Sequence, residues 1–158
     1  MERVSKTNYY LDIAQTVPER STCLCRRFGA IIVKNDSIVS TGYNGAPRGR
    51  KNCTDIGQCV CNRAGGGESS EACRAVHAEM NCIISATREQ MLDSTMYLCG
   101  VDAATGQIIE DANSCRTCRR MIINAGISRV VIRTSPTCFV SYNVRDWVLN
   151  DDSIGYLS

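Results

Sequence analysis

Histidine is nearly missing from this chain: His77 is the single one in 158 residues. With no second imidazole, a metal site built on several histidines is excluded, and a histidine given to a metal leaves none for a Ser-His relay. Long apolar runs are missing too. None approaches the roughly 20 residues that span a bilayer, and residues 1–15 lack the apolar stretch of a secretory signal. A cytoplasmic protein with no membrane partner is the expectation. A charge excess is also lacking, since 18 Lys and Arg against 16 Asp and Glu leave a formal net charge of +2. That balance speaks against a nucleic-acid polymer as partner, because polymer binders carry a clustered basic face. There are no internal repeats, and the length suits a single domain over residues 1–158.

Cysteine, by contrast, is abundant, with eleven residues. That is about 7% of the chain, just under the range that marks disulfide scaffolds, and in the absence of a secretion signal thiols and bound metal are expected instead. Cys82 and Cys99 lie in apolar helix and strand patterns and read as small core residues. Six others, Cys23, Cys25, Cys53, Cys59, Cys61 and Cys73, surround a stretch without periodicity.

Taken in order, residues 4–17 read as a helix with Val4, Tyr9, Tyr10, Ile13 and Val17 on its apolar side, ended by Pro18. Residues 28–34 and 37–43 read as two strands around the tight turn Asn35-Asp36. The continuous apolar run of the first strand implies that both of its faces are covered. Turn residues follow from Asn44 to Gly49, and a cysteine-rich loop occupies about 45–75, with Gly65 to Gly67 in its middle. A loop of that length is functional, tied down or disordered. Its cysteines could tie it down as a second, closed zinc site of four thiolates; unliganded thiols in a mobile loop are the plain alternative. A helix from His77 with Met80, Ile83, Ile84 and Thr87 facing inward, a strand at 94–99, a turn at Thr105-Gly106, a helix from Ser114 to Gly126 and a strand at 129–133 complete the main pattern. Val140, Val144, Trp147 and Val148 fit a last strand and helix. The order β-β-α-β-α-β predicts an α/β sandwich.

The chemistry lies in two short stretches, His77-Ala78-Glu79 and Cys115-Arg116-Thr117-Cys118. Cys115 and Cys118 are three apart and share the first turn of their helix, where unpaired N–H groups favour thiolate. One imidazole and two thiolates make three zinc ligands, and a catalytic zinc site keeps its fourth position for water. Glu79 is then left as a base for that water. Because residues two apart on a regular helix point about 200° away from each other, His77 and Glu79 reach one site only from an irregular first turn. A purely structural Cys/His site would want a fourth ligand and would leave Glu79 without a task. H-x-E with P-C-x-x-C is the signature of zinc nucleobase deaminases.

Residues 5–135 resemble the cytidine and deoxycytidylate deaminase superfamily, most closely its deoxycytidylate branch. The matching text is Ser21-Thr-Cys23, Gly29-Ala-Ile-Ile-Val-Lys34, Gly42-Tyr-Asn-Gly-Ala-Pro-Arg-Gly49, Cys73-Arg-Ala-Val-His-Ala-Glu-Met-Asn81 and Ser114-Cys-Arg-Thr-Cys-Arg-Arg-Met-Ile-Ile-Asn-Ala-Gly-Ile127. The resemblance implies a three-layer α/β/α sandwich around a mixed five-stranded sheet, and hydrolytic deamination of dCMP to dUMP and ammonia with Zn2+ on His77, Cys115 and Cys118 and Glu79 as proton shuttle. It implies sugar contact by Asn44, base contacts by the Ala78 N–H and the Ser114 carbonyl, and a homo-oligomer, dimer or hexamer. It further implies dCTP and dTTP as effectors, with Mg2+ accompanying the nucleotide, and a second zinc. Cys23, Cys53, Cys59 and Cys73 are the candidate ligands for that zinc, with Cys61 and Cys25 as alternatives to Cys59. Arg26, with Arg27 and Arg48, is a candidate for the 5′-phosphate, or an ordinary surface charge. Two departures stand out: Ser114 replaces the usual proline, and Cys59-Val-Cys61 brings an extra thiol. The alternatives are a deaminase of free cytidine or of tRNA adenosine, and a zinc-organised nucleotide-binding module without turnover.

Overall fold

In a computed structural model, residues 1–63 and 72–157 are described, so part of the cysteine-rich loop, Gly65 to Gly67 included, lies outside the described residues. The elements in order are α1 (Lys6–Thr16), a 3-10 turn (Val17–Arg20), β1 (Arg26–Lys34), β2 (Ser37–Tyr43), α2 (Cys53–Ile56), α3 (Val60–Arg63), α4 (Ala78–Ile84), α5 (Arg88–Met91), β3 (Thr95–Asp102), α6 (Arg116–Ala125), β4 (Arg129–Arg133), β5 (Phe139–Asn143), α7 (Val144–Leu149) and a second 3-10 turn (Asp152–Leu157). None of the described helices is long and apolar enough to cross a membrane.

The five strands form one mixed sheet in the order β2-β1-β3-β4-β5, parallel between β3 and β4 and antiparallel elsewhere. Alternate residues of each strand serve opposite faces. Ile31, Val33 and Cys99 pack against Tyr10 and Ala14 of α1 on one face. Ala30, Ile32, Met96, Leu98, Val130 and Ile132 pack against Ala78 and Cys82 of α4 and Ile122 and Ala125 of α6 on the other. Covering on both sides explains the unbroken run Ile31-Ile32-Val33, and the result is the expected α/β/α sandwich. Asn35 and Asp36 take φ of 50° and 60°, the pair of positive values that a two-residue hairpin turn needs to follow the strand twist. Asp36 also accepts hydrogen bonds from Tyr10 Oη at 2.6 Å and Lys6 Nζ at 2.8 Å, tying α1 to that turn.

Several local expectations need correction. α4 ends at Ile84, which is 71% exposed, while Ala78, Glu79 and Cys82 form its buried side. Thr87 does not continue that helix but caps α5, its Oγ1 accepting from Gln90 N. Residues 50–63 are not wholly irregular: α2 and α3 are single turns within them. In the last strand and helix Val144 is buried, whereas Val140 and Val148 are exposed.

Arg133, only 1% exposed, closes β4. Its Nη1 donates to Asp12 Oδ1 and Gln15 Oε1, both at 2.7 Å, and its Nη2 to the Asn8 carbonyl at 3.3 Å and Asn8 Oδ1 at 3.1 Å. The polar side of α1 is thus clamped to the sheet by a buried cation. Removing one partner of a fully buried ion pair costs about 3–5 kcal/mol. The Asp12 carboxylate is 58% exposed, so solvent screening reduces its share. Asp12→Ala is accordingly expected to lower unfolding stability by about 1–3 kcal/mol in urea titration, with the slope unchanged.

Candidate active site

α6 links the parallel strands β3 and β4, so its N-terminus lies beyond their carboxyl ends, where open α/β sheets place ligands. Gly45 and Val76 form an isolated antiparallel bridge there, Gly45 N donating to Val76 O at 3.2 Å and Val76 N to Gly45 O at 2.7 Å. The bridge draws His77 to the end of β2. His77 is the N-cap of α4, with extended backbone at φ −70° and ψ 157°. Being outside the helix proper, it is free of the 100° per residue rotation, and Glu79 in the first turn shares its site. Cys115 is likewise the N-cap of α6, at φ −66° and ψ 165°, with its Sγ accepting from Cys118 N at 3.4 Å. Ser114, a residue type suited to a cap, stands one residue outside.

His77 Nδ1 is 3.5 Å from Cys115 Sγ and 3.4 Å from Cys118 Sγ. Tetrahedral zinc with ordinary Zn–N and Zn–S bonds separates nitrogen from sulfur by about 3.6 Å, so this soft donor set fits that ion. The three donor atoms form the one group of His, Cys or carboxylate ligands within 4.8 Å of one another among the described residues. The two cysteines hold their protons unequally. A hydrogen bond from the Cys118 thiol, then His77, lowers Cys115 to about 3. That same bond, followed by burial, pushes the Cys118 thiol up. Glu79 is 5% exposed. Burial pushes its carboxyl up, opposed by its own backbone N–H, the Ser114 hydroxyl and His77. A carboxyl poised in this way can both take and return a proton.

The surroundings of the remaining expected residues are as follows. Asn44 is buried, and its Oδ1 accepts from Ser21 Oγ at 2.6 Å and Phe28 N at 2.9 Å, while Nδ2 donates to the Arg26 carbonyl at 2.9 Å. One of its two amide hydrogens is left for other partners. Ala78 and Ser114 are buried beside the ligands. Arg26 is exposed at the start of β1, opposite Asp102 in β3. Arg27 Nε donates to the Cys23 carbonyl at 3.4 Å, and Arg48 is exposed.

Cys23, Cys53, Cys59 and Cys73, with Cys61 as a fifth, line one cavity of about 30 Å³ together with Thr22, Gly45 and Arg74. That is room for about one ion or water. Cys59 Sγ and Cys61 Sγ are 3.0 Å apart, and a hydrogen bond with Cys59, then burial, raises the Cys61 thiol to about 12. Cys25 does not line this cavity; its N–H donates to Cys23 Sγ at 3.5 Å. A larger cavity of about 360 Å³ is walled by Glu110, Asp111, Asn113, Thr134 and Tyr142.

The description "Cytidine and deoxycytidylate deaminase zinc-binding region" matches residues 4–134. The chain belongs to this deaminase family. It is 34% identical over 134 residues to a deoxycytidylate deaminase of Schizosaccharomyces pombe, covering 84% of this chain, and 31% identical over 135 residues to a deoxycytidylate deaminase of Mycobacterium phage D29, covering 83%. The chain spans 38% of the length of the yeast enzyme and 96% of the phage enzyme. In fold it is similar to the dCMP deaminase of cyanophage S-TIM5, solved with dCMP and dUMP, at a TM-score of 0.53 and 22% identity over 84% of each chain.

Sequence reasoning overlooked two residues that hold this site together. Ser21 supports Asn44 through its hydroxyl. Gly42 is the other, for a Cβ there would stand 2.4 Å from both the Ala78 carbonyl oxygen and Cys82 N. A glycine inside a strand pattern, a known mark of close backbone approach, was the available signal. Gly42→Ala must push α4 off β2, and overpacking of this kind costs about 1–3 kcal/mol. The same shift moves His77 from the cysteines, so zinc should pass to a competing chelator at lower chelator concentration than in the wild type.

Proposed function

We propose that this chain is a zinc-dependent deoxycytidylate deaminase, converting dCMP and water to dUMP and ammonia. The observation that carries the reading is a buried carboxylate, Glu79, beside three soft metal donors, His77, Cys115 and Cys118. His77, Cys115 and Cys118 would hold the zinc, which when bound would supply a Lewis acid that lowers the pKa of the attacking water. Glu79 takes a proton from the attacking water and passes it to N3 of the cytosine as C4 is attacked. It then takes the proton of the new C4 hydroxyl and gives it to the amine, so that the C4–N bond breaks, ammonia leaves and the carbonyl of dUMP forms. The Ala78 N–H and the Ser114 carbonyl hold the base edge, and the remaining amide hydrogen of Asn44 meets the sugar. The names of the relatives and the dCMP and dUMP bound by the cyanophage enzyme support a nucleotide substrate. Arg26 is assigned to the 5′-phosphate because it flanks Asn44 and is exposed.

The proposal extends to a second, structural zinc in the five-thiol cavity, with Cys23, Cys53 and Cys73 joined by Cys59 or Cys61. It also includes a homo-oligomer, for which the exposed Phe139, Val140, Val148 and Leu149 supply apolar surface. Effector nucleotides dCTP and dTTP, with Mg2+, would meet the turn that carries the exposed Arg48 and Arg50.

Ammonia release from dCMP, CMP, deoxycytidine and adenosine-containing tRNA tests the assignment. Two charge-assisted hydrogen bonds to the phosphate would favour dCMP over deoxycytidine by roughly 10² to 10⁴ in kcat/KM. Equal values would move the chain to the nucleoside deaminases. Glu79→Ala should keep the fold and its zinc yet lose at least about 10²-fold in kcat; near-normal turnover would remove Glu79 from the mechanism. For the structural site, elemental analysis should find two zinc ions per chain, falling to one in Cys53→Ser. One zinc in both proteins would dismiss it.

A further inference from the structure

Cys23, Cys53, Cys59, Cys61 and Cys73 line the smaller cavity, yet a closed tetrahedral zinc site takes four ligands. One thiol is in excess. Three of the five come from separate stretches, for Cys23 lies ahead of β1, Cys53 opens α2 and Cys73 precedes His77. Cys59 and Cys61 instead share one turn, the first standing immediately before α3 and the second within it. Their sulfurs are 3.0 Å apart. Closing that gap to the roughly 2.05 Å of a disulfide takes about 1 Å of travel. Both sulfurs ride on one short segment, so no element has to move against another.

Access to the two sulfurs differs. Cys61 is 3% exposed, whereas Cys59 is only partly buried. A dissolved oxidant therefore meets Cys59 first and finds Cys61 behind it. That is the arrangement of an oxidisable cysteine with a resolving partner.

We propose that Cys59 and Cys61 are a modification site, a dithiol that hydrogen peroxide converts reversibly to a disulfide, and that this bond empties the cavity of its metal. The metal release rests on the structural zinc assigned above. The Cys59 sulfur, as thiolate, attacks one peroxide oxygen. The O–O bond breaks, Cys59 becomes a sulfenic acid, and the departing hydroxide takes up the thiol proton as water. The Cys61 sulfur then attacks the Cys59 sulfur. The S–O bond breaks, the S–S bond forms, and the second hydroxide leaves with the Cys61 proton as water. Two electrons pass from the thiols to the peroxide. Cys23, Cys53 and Cys73 remain, one ligand short of a closed site. The excess thiol gives no protection, because the disulfide removes two.

The test treats the zinc-loaded wild type with one equivalent of hydrogen peroxide, beside Cys59→Ser and Cys61→Ser. Each variant keeps four of the cavity's cysteines. Tryptic cleavage after Lys51 and Arg63 releases the peptide 52–63, which holds Cys53, Cys59 and Cys61. In the oxidised wild type this peptide should be lighter by two hydrogen atoms and give no fragment ions from breakage between Cys59 and Cys61. Zinc should fall from two ions per chain to one, and dithiothreitol with added zinc should reverse both changes. At least one of the variants should load two zinc ions and keep both under the same peroxide. A disulfide that involves Cys53 or Cys73, zinc lost while the pair stays reduced, or zinc kept after the pair is oxidised would each overturn the inference. So would two variants that both fail to load the second ion, or that lose it as readily as the wild type. One zinc in the reduced wild type would sink the structural-zinc reading and the release with it, while the peptide mass still decides whether Cys59 and Cys61 form the disulfide.

Discussion

His77 and Cys115 both occupy the residue immediately before a helix, and the convergence of the site depends on that shared position. An N-cap has extended backbone, so its side chain sits over the open first turn of the helix it starts, within reach of a partner from another element. With His77 outside α4, Glu79 falls in the first turn of that helix, on its buried side. With Cys115 outside α6, Cys118 follows in the first turn, and the Cys118 N–H is available to the Cys115 sulfur. Unpaired N–H groups and the helix dipole favour negative charge at the start of α6, the sign carried by thiolates.

The rest of the architecture keeps these two helix starts together. The close approach of β2 to α4 at Gly42 sets one of them against the sheet. The Gly45–Val76 bridge and the buried Asn44 amide, linked to Ser21, Phe28 and Arg26, fix the loop that leads there. On the far face, α1 completes the burial of β1 and β3 and is locked by Arg133.

The Asn44 side chain is committed to the fold. Its three hydrogen bonds, with Ser21, Phe28 and Arg26, leave one amide N–H for another partner. The cysteine cavity follows a different logic. Five cysteines line a cavity of about 30 Å³, and the 3.0 Å contact of Cys59 with Cys61 sets two of their thiols side by side.

Strand periods, the Asn35-Asp36 turn and the two ligand stretches were legible because each depends on neighbouring residues alone. The α/β/α order followed from them, as did the donor set of His77, Cys115 and Cys118, since no other imidazole exists in the chain. Helix boundaries were less legible. Ile84 and Thr87 continue the apolar spacing of α4, yet the chain leaves the sheet at Ile84, and Thr87 finds a better use capping α5. Ser114 reads as a cap by residue type, but the sulfur of Cys115 occupies that role. Only the tertiary structure decided that Val76 pairs with Gly45, that Gly42 admits α4, and that Arg133 is buried under α1. Each of these joins residues far apart in the chain, through contacts that local propensity does not encode.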